Sequence, residues 1–518
     1  MGRGYAEGLA SGSGVPRLAR VPGRTSAEWE LFANWAGTLS DISGAAGLLG
    51  WDRETLMPPA GVEGRAHLHG TLAALHHREL VRDDAGEAIA ALQEADGLDE
   101  DARAMLRLAA RERDRAVRVP ESLVREVSEA CSRCVAAWGE ARARDDFSLY
   151  SEPLKEVVAL KRREAEAIGV GDEPYDALLD GYEPGARTAE LEPVLAELRD
   201  RLTPLVAAAS EREPVSLPER NWPEDAQMVL AHEIADMVGF DASAGVIATS
   251  AHPFTGSPHR GDVRFTTRTS PANPIGNITA VLHELGHALY EQGFPAEGAR
   301  TPLYDAPSMG AHESQSRFWE NQIGRTRAFW DLLDPTMRRL FPEAMDGLDT
   351  ATLHACARVV RPSLIRVEAD EVTYNLHIVL RFEMELALVR GELEVEDMPG
   401  TFADGMERLL GVRPPSDASG VIQDIHWSDG LFGYFPTYTL GNLYAAQLAE
   451  AAERETGRTV EESVAEGRLR DLLAFMRERV HSHGARLPTR ELMRRATGAE
   501  LGTDALIAHL TRAYVDGD

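Results

Sequence analysis

Residues 277–293 read Asn277-Ile278-Thr279-Ala280-Val281-Leu282-His283-Glu284-Leu285-Gly286-His287-Ala288-Leu289-Tyr290-Glu291-Gln292-Gly293. No proline interrupts this run, Asn277 or Thr279 can cap its start and Gly293 can stop it, so one helix is expected. Inside it His283, Glu284 and His287 form an H-E-x-x-H. Positions four apart lie a turn apart on one helix face, which lets both imidazoles reach a single metal ion. Glu284, beside the first ligand, can hydrogen-bond a metal-bound water without ligating the metal. Two ligands, a base and an open coordination position are what a zinc hydrolase requires. A surface helix that happens to carry two histidines is the plainer alternative.

A catalytic zinc normally takes three protein ligands. The continuation H-x-x-G-x-x-H is absent, since Ala288 to Gly293 supply neither the glycine nor a later histidine at those positions. The third ligand must then come from the next helical stretch, expected over 308–329, where Glu313 and Glu320 lie seven apart on one face. Glu313, in His312-Glu313-Ser314-Gln315, is the better placed, and Asp305 and Glu291 are weaker candidates. A surface ion pair is the ordinary role for either glutamate.

Immediately before the metal helix, residues 247–270 turn Thr- and Val-rich and alternate from Asp262 to Thr266 around a Gly/Pro/Ser turn. They read as a small β-hairpin or ribbon lining a cleft. Elsewhere the periodicity is helical. Ser26 caps a run with Trp29, Phe32, Trp35 and Leu39 at helical spacing, which ends at Pro58-Pro59. Further helices are expected over 63–82, 99–117, 120–145, 151–168, 188–212 and 223–239. Near the C-terminal end, 420–438 is irregular, aromatic and bears His426, as a buried Ω-type loop or a site loop would. The length of 518 residues allows about three domains. With no internal repeat or low-complexity linker, one mostly helical, all-α fold over 26–518 is expected instead, with 1–25 a flexible extension.

The formal net charge is −30, from 84 acidic and 54 basic residues, which argues against nucleic acid and anionic membranes as partners. No apolar run approaches the ~18 residues of a membrane span, and the arginine-bearing start lacks the apolar core of a secretory signal. Cys131 and Cys134 form a C-x-x-C inside a helical segment without a second pair, and Cys356 stands alone. A reduced, cytoplasmic compartment is expected.

At this point the chain resembles the carboxypeptidase Taq family of metal-dependent carboxypeptidases. The likeness rests on His252-Pro253-Phe254, Asp262-Val263-Arg264-Phe265-Thr266, His283-Glu284-Leu285-Gly286-His287 and His312-Glu313-Ser314-Gln315. It continues through Ile365-Arg366-Val367-Glu368-Ala369-Asp370 and Gly420-Val421-Ile422-Gln423-Asp424-Ile425-His426-Trp427. Gly50-Trp51-Asp52 before Met57-Pro58-Pro59 is similar to the family's N-terminal signature. The resemblance implies an all-helical enzyme around a deep groove, usually a homodimer. It implies release of single C-terminal residues from peptides, with broad preference and poor action next to proline. Carried over by motif, His283, His287 and Glu313 are the ligands and Glu284 the base, for one divalent ion, zinc or alternatively cobalt.

The chemistry closes on the same residues. Glu284 takes a proton from the metal-bound water, which attacks the polarised carbonyl, and later passes it to the leaving amine. His426 or a tyrosine such as Tyr434 can donate to the oxyanion. An exopeptidase must also hold a free carboxylate, which suits the forked donors of arginine. Arg366, expected in an apolar helix over 364–380, is the first choice and Arg264 the second. An ion pair, for Arg366 with Asp370, is the alternative role. Two rivals remain: a helical zinc oligoendopeptidase, indifferent to amidation of the peptide C-terminus, and a non-catalytic metal-binding protein, for which Glu284 would have no use.

Overall fold

Ser26 opens the first helix, Ala27–Thr55, by accepting a hydrogen bond from the Trp29 N–H at 3.4 Å. Trp29, Phe32, Trp35, Ala36 and Leu39 are buried along one face, as their spacing predicts. Pro58 and Pro59 break the chain, and the helix Val62–Leu80 returns beside the first, with Arg65 bonded to the Leu49 carbonyl and the Asp52 carboxylate. Leu80 is the only buried residue of that returning helix, so most of its surface faces solvent. The computed structural model describes residues 26–211 and 213–516, and the predicted extension over 1–25 lies outside the described residues.

The helices Glu100–Arg118, Glu121–Arg144, Ser148–Ile168, Thr188–Ala209 and Glu224–Val238 match the predicted segments to within a few residues. The buried side chains form two clusters. A smaller one joins the N-terminal helices and Leu303; a larger one takes in the remaining elements, including the metal helix.

The predicted ribbon is a sheet of three strands, β1 (Gly245–Thr249), β2 (Thr255–His259) and β3 (Asp262–Thr267), in the order β1-β3-β2. The hairpin β2–β3 is antiparallel as expected, but β1 adds in parallel, Gly245 opposite Val263, a pairing that alternation alone does not reveal. Val263 and Phe265 are fully buried, and β3 packs against the metal helix while β2 forms an edge.

That helix runs Pro274–Gly293, one turn longer than predicted. Its cap is Asn273, whose side chain accepts from the Ile275 and Gly276 N–H groups at 3.0 and 3.4 Å. Proline at the first helical position has its φ preset and no N–H to waste, so Asn273-Pro274 is the stronger start signal. Asn277 instead lies buried inside the helix and donates to Thr267 Oγ1 and to the Arg268 carbonyl, tying helix to strand.

Two further expectations need correction. The run over 308–329 is not one helix: Met309–Arg317 passes into a π turn, Phe318–Ile323, and Thr326 caps a separate helix, Arg327–Leu340. Arg366 does not lie in a helix over 364–380 but in a single 3-10 turn, Arg366–Glu368, and the helix begins at Tyr374. Asp370 explains the delay, because its carboxylate accepts from the N–H groups of Arg361, Val372 and Thr373 and so offers the backbone an alternative to helix.

Candidate metal centre

Gly286, in the middle of the H-E-x-x-H, decides how closely the two ligand-bearing helices approach. A Cβ there would lie 2.4 Å from the Gln315 carbonyl oxygen and 2.6 Å from Ser316 Cα, so backbone meets backbone at this point. On the other side, a Cβ on Gly441 of helix Pro436–Thr456 would come within 2.4 Å of Glu313 Cγ. Two glycines thus make room for Glu313 between neighbouring helices.

The result is a set of three ligand atoms, from His283, His287 and Glu313, all within 4.8 Å of one another. Glu313 Oε2 is 3.7 Å from His283 Nε2 and 3.3 Å from His287 Nε2. Arg317 Nε donates to the other oxygen, Oε1, at 2.7 Å, and Ser316 Oγ donates to Oε2 at 3.0 Å. Burial alone would raise the Glu313 pKa, but Arg317 and the two imidazoles hold it well below the usual carboxylate range. His283 Nδ1 meets Glu320 Oε2 at 2.8 Å, which fixes the ring and turns Nε2 toward Glu313. Arg317 Nη1 also donates to Glu320, at 3.2 Å, so one guanidinium braces both carboxylates. The sequence offered Glu320 as an alternative ligand; it lies outside the candidate cluster and pairs with His283, one of its members.

Burial disfavours the imidazolium at both histidines. At His283 the Glu313 and Glu320 carboxylates outweigh it and lift the pKa to about 9, whereas at His287 burial and the adjacent His312 push it down to about 3. The field at His283 favours a positive charge, which a divalent cation supplies as well as a proton. Two imidazole nitrogens and an ionised, buried carboxylate are a donor set that fits a divalent ion of the borderline class.

Glu284 is 6% exposed and stands beside this cluster. Thr255 Oγ1, on the edge strand β2, reaches Glu284 Oε2 at 2.7 Å and its carbonyl oxygen at 3.0 Å, an orienting contact that no motif announced. Burial raises the Glu284 pKa, offset in part by His283 and by the Thr255 hydrogen bond. Asp305 and Glu291, the weaker ligand candidates, are not in the cluster. Glu291 Oε1 pairs with His312 Nε2 at 3.1 Å, and the His312 ring stacks on His287 with centroids 4.5 Å apart.

The irregular stretch 420–438 brings its aromatic residues to the same region. His426 stacks on Phe435 at 4.4 Å, and its Nε2 is 3.3 Å from the Tyr438 hydroxyl. Burial, then the charge of Arg366, pushes the His426 pKa down to about 4, so the ring is neutral near pH 7. Tyr434 packs edge-on against Tyr182 and Tyr438. Burial and then the Glu313 charge push its hydroxyl up to about 12, so the phenol lies within electrostatic range of Glu313.

Arg366 is 5% exposed. Its Nε and Nη2 donate to Asp424 Oδ1 at 3.0 and 2.7 Å, and its Nη1 donates to the Tyr374 hydroxyl at 3.2 Å. Its ion-pair partner is therefore Asp424 and not Asp370. The guanidinium lies over the rings of Tyr438 and Phe435, at 5.2 and 5.6 Å. Arg264, opposite Gly256 in the sheet, has both arms taken by Asp262, at 2.6 and 2.9 Å, and lies over Trp51. Cys131 and Cys134 are buried free thiols, Cys134 pushed by burial up to about 12, and neither joins a metal-ligand cluster among the described residues.

The family model described as carboxypeptidase Taq (M32) metallopeptidase matches residues 32–514. Thermostable carboxypeptidase 1 of Thermus thermophilus is 42% identical over 488 residues, which span 91% of this chain and 95% of the relative. The protein of the same name from Pyrococcus furiosus is 37% identical, over 92% and 96%. In three dimensions, the crystal structure of an M32 carboxypeptidase from Deinococcus radiodurans superposes with a TM-score of 0.92 at 34% identity, covering 95% of this chain and 99% of that one.

Proposed function

Because the chain belongs to the carboxypeptidase Taq (M32) family of metallopeptidases and is a metallocarboxypeptidase, we propose that it releases single C-terminal residues from peptides with broad preference and poor action next to proline. The observation that carries the mechanism is the convergence of His283, His287 and Glu313 on one point beside a buried, oriented Glu284. These three residues would hold one divalent ion, which we read as zinc, with cobalt able to use the same ligands. Bound there, such an ion supplies Lewis acidity toward the scissile carbonyl and acidifies a water.

The side chains do the rest. Thr255 holds Glu284 Oε2, leaving Oε1 to accept the proton of the attacking water, and the resulting carboxyl returns that proton to the leaving amine nitrogen. Neutral His426 is the donor assigned to the developing oxyanion, and Tyr434 lines the substrate's path beside it. Arg366 takes the terminal carboxylate. Of the five N–H bonds of a guanidinium, three are engaged by Asp424 and Tyr374 and two remain for the ligand. Arg264, held on both arms by Asp262, is the second choice.

We also read 26–518 as one catalytic unit, the working form as a homodimer and the compartment as cytoplasmic. Three cysteines in 518 residues, all free among the described residues, support the last reading, and the resemblance supports the dimer. No helix among the described residues is long and apolar enough to cross a membrane.

The test is digestion of one short peptide as free acid and as C-terminal amide, with and without added zinc or cobalt, followed by mass spectrometry. A metal-dependent ladder of single-residue losses from the free acid alone is expected. Internal cleavage of both forms would move the protein to the endopeptidases and remove the role given to Arg366.

A further inference from the structure

We infer that Arg381 supplies, through Asp424, the net charge by which the substrate's terminal carboxylate is recognised, and that Arg366 alone does not. This rests on the reading of Arg366 as the anchor. The helix Tyr374–Arg390 carries Arg381 into the interior, where it is 0% exposed. Its Nε donates to Asp424 Oδ2 at 2.7 Å, its Nη2 lies 2.6 Å from the same oxygen, and its Nη1 donates to the His377 carbonyl at 2.9 Å. Asp424 is thus divided between two arginines, Oδ1 to Arg366 and Oδ2 to Arg381.

Arg366 and Asp424 by themselves form a neutral pair, and a neutral pair in a poorly solvated pocket offers an incoming anion little net attraction. Adding Arg381 leaves the trio with one positive charge. The nearest acid besides Asp424 is Glu385, which burial pushes up to about 7, so near neutral pH it offsets that charge only in part. His377, buried, and His426, partly buried, lie beside the guanidiniums and are pushed down to about 3 and about 4, which keeps both rings uncharged at neutral pH. Glu385, one turn after Arg381 on the same helix, directs its carboxylate to the Tyr175 hydroxyl, the Trp427 indole and the Gly433 N–H. A terminal carboxylate on the free N–H groups of Arg366 completes a set of two cations and two anions. Arg381 has no opening to that ligand, since Asp424 stands between. It is a positioning residue: it fixes the carboxylate that fixes Arg366, and it contributes the unmatched charge.

The test uses the full-length, metal-loaded enzyme and a peptide analogue whose last peptide bond is reduced to an amine, made as free acid and as amide. Calorimetry measures the preference for acid over amide in wild type, Arg381→Met, Arg381→Lys and Arg366→Met. Arg381→Met is expected to lose roughly tenfold or more of that preference. On hydrolysable free-acid peptides KM should rise more than kcat falls, and Arg381→Lys should recover most of the preference because it restores the charge. Should Arg381→Met fail to fold by circular dichroism, Arg381→Gln, which keeps a donor for Asp424, takes its place. A folded neutral variant with the wild-type preference overturns the proposal. If Arg366→Met abolishes the preference in that same experiment, the anchor reading stands and only the role of Arg381 falls; if neither substitution matters, both fall.

Discussion

Glu284 and Glu313 are buried and Glu320 is partly buried beside them, and what each carboxylate meets separates their roles. Glu313 is held ionised by Arg317 and the histidines, Glu320 orients His283, and Glu284 has its Oε2 taken by Thr255, which leaves Oε1. Glu284→Gln should lower kcat/KM by about 10²–10⁴-fold while the metal content, measured by mass spectrometry, stays at wild-type level. Glu320→Gln should instead weaken metal affinity by about 10–100-fold in competition with a chromophoric chelator, because the His283 ring loses its brace. Burial would raise the Asp424 pKa, but Arg381 and Arg366 hold it far below the ordinary value. A depressed carboxylate contributes stability that is present above its unfolded pKa and lost as pH falls through the folded one. Asp424→Asn should therefore cost about 3–5 kcal/mol in urea unfolding at pH 7, and less as the pH is lowered below the usual carboxylate range. Part of this was legible beforehand. Glu313 and Glu320 stand out in the sequence, whereas Arg317 was passed over, although it stands four residues after the one and three before the other, a helical spacing that could have pointed to a shared clamp. Asp424 and Arg381 are 43 residues apart, and no local period can join them.

At the scale of elements, close approach is the limiting quantity. Gly286→Ala places a methyl against the backbone of Gln315 and Ser316, where no side chain can swing away. It should destabilise the protein by at least about 1–3 kcal/mol and lower metal affinity, read as a fall in melting temperature that added zinc no longer fully reverses. An unchanged melting curve would show that the two helices separate freely. Helices with a regular apolar face were readable from spacing, as were the proline break and the β2–β3 hairpin. Besides the parallel pairing of β1, three boundaries escaped because competition between caps set them. Asn273-Pro274 displaced Asn277 as the start of the metal helix, Ser308 and Thr326 divided one expected helix, and Asp370 held Arg366 in a turn. In each case a side chain satisfying backbone N–H groups decided the boundary, while hydrophobic period was silent about it.

Across the whole molecule, 84 acidic residues face 54 basic ones, and like charges at this excess repel within the folded state. Raising salt toward ~0.3 M shortens the Debye length to below about 8 Å and should raise the melting temperature at pH 7; a fall would mean that its many surface ion pairs outweigh the repulsion. The family motifs made the active region legible as a set, but not the distances among them. One of those distances is held by Tyr374. Its ring lies 4.7 Å from the Arg317 guanidinium that grips Glu313, and its hydroxyl accepts from Arg366. A single phenol thus spans from the clamp on a metal ligand to the group assigned to the end of the substrate. With Arg366 proposed to hold the terminal carboxylate and Glu313 the metal, the length of that tyrosine would set the stride from the peptide's terminus to the bond that is cut.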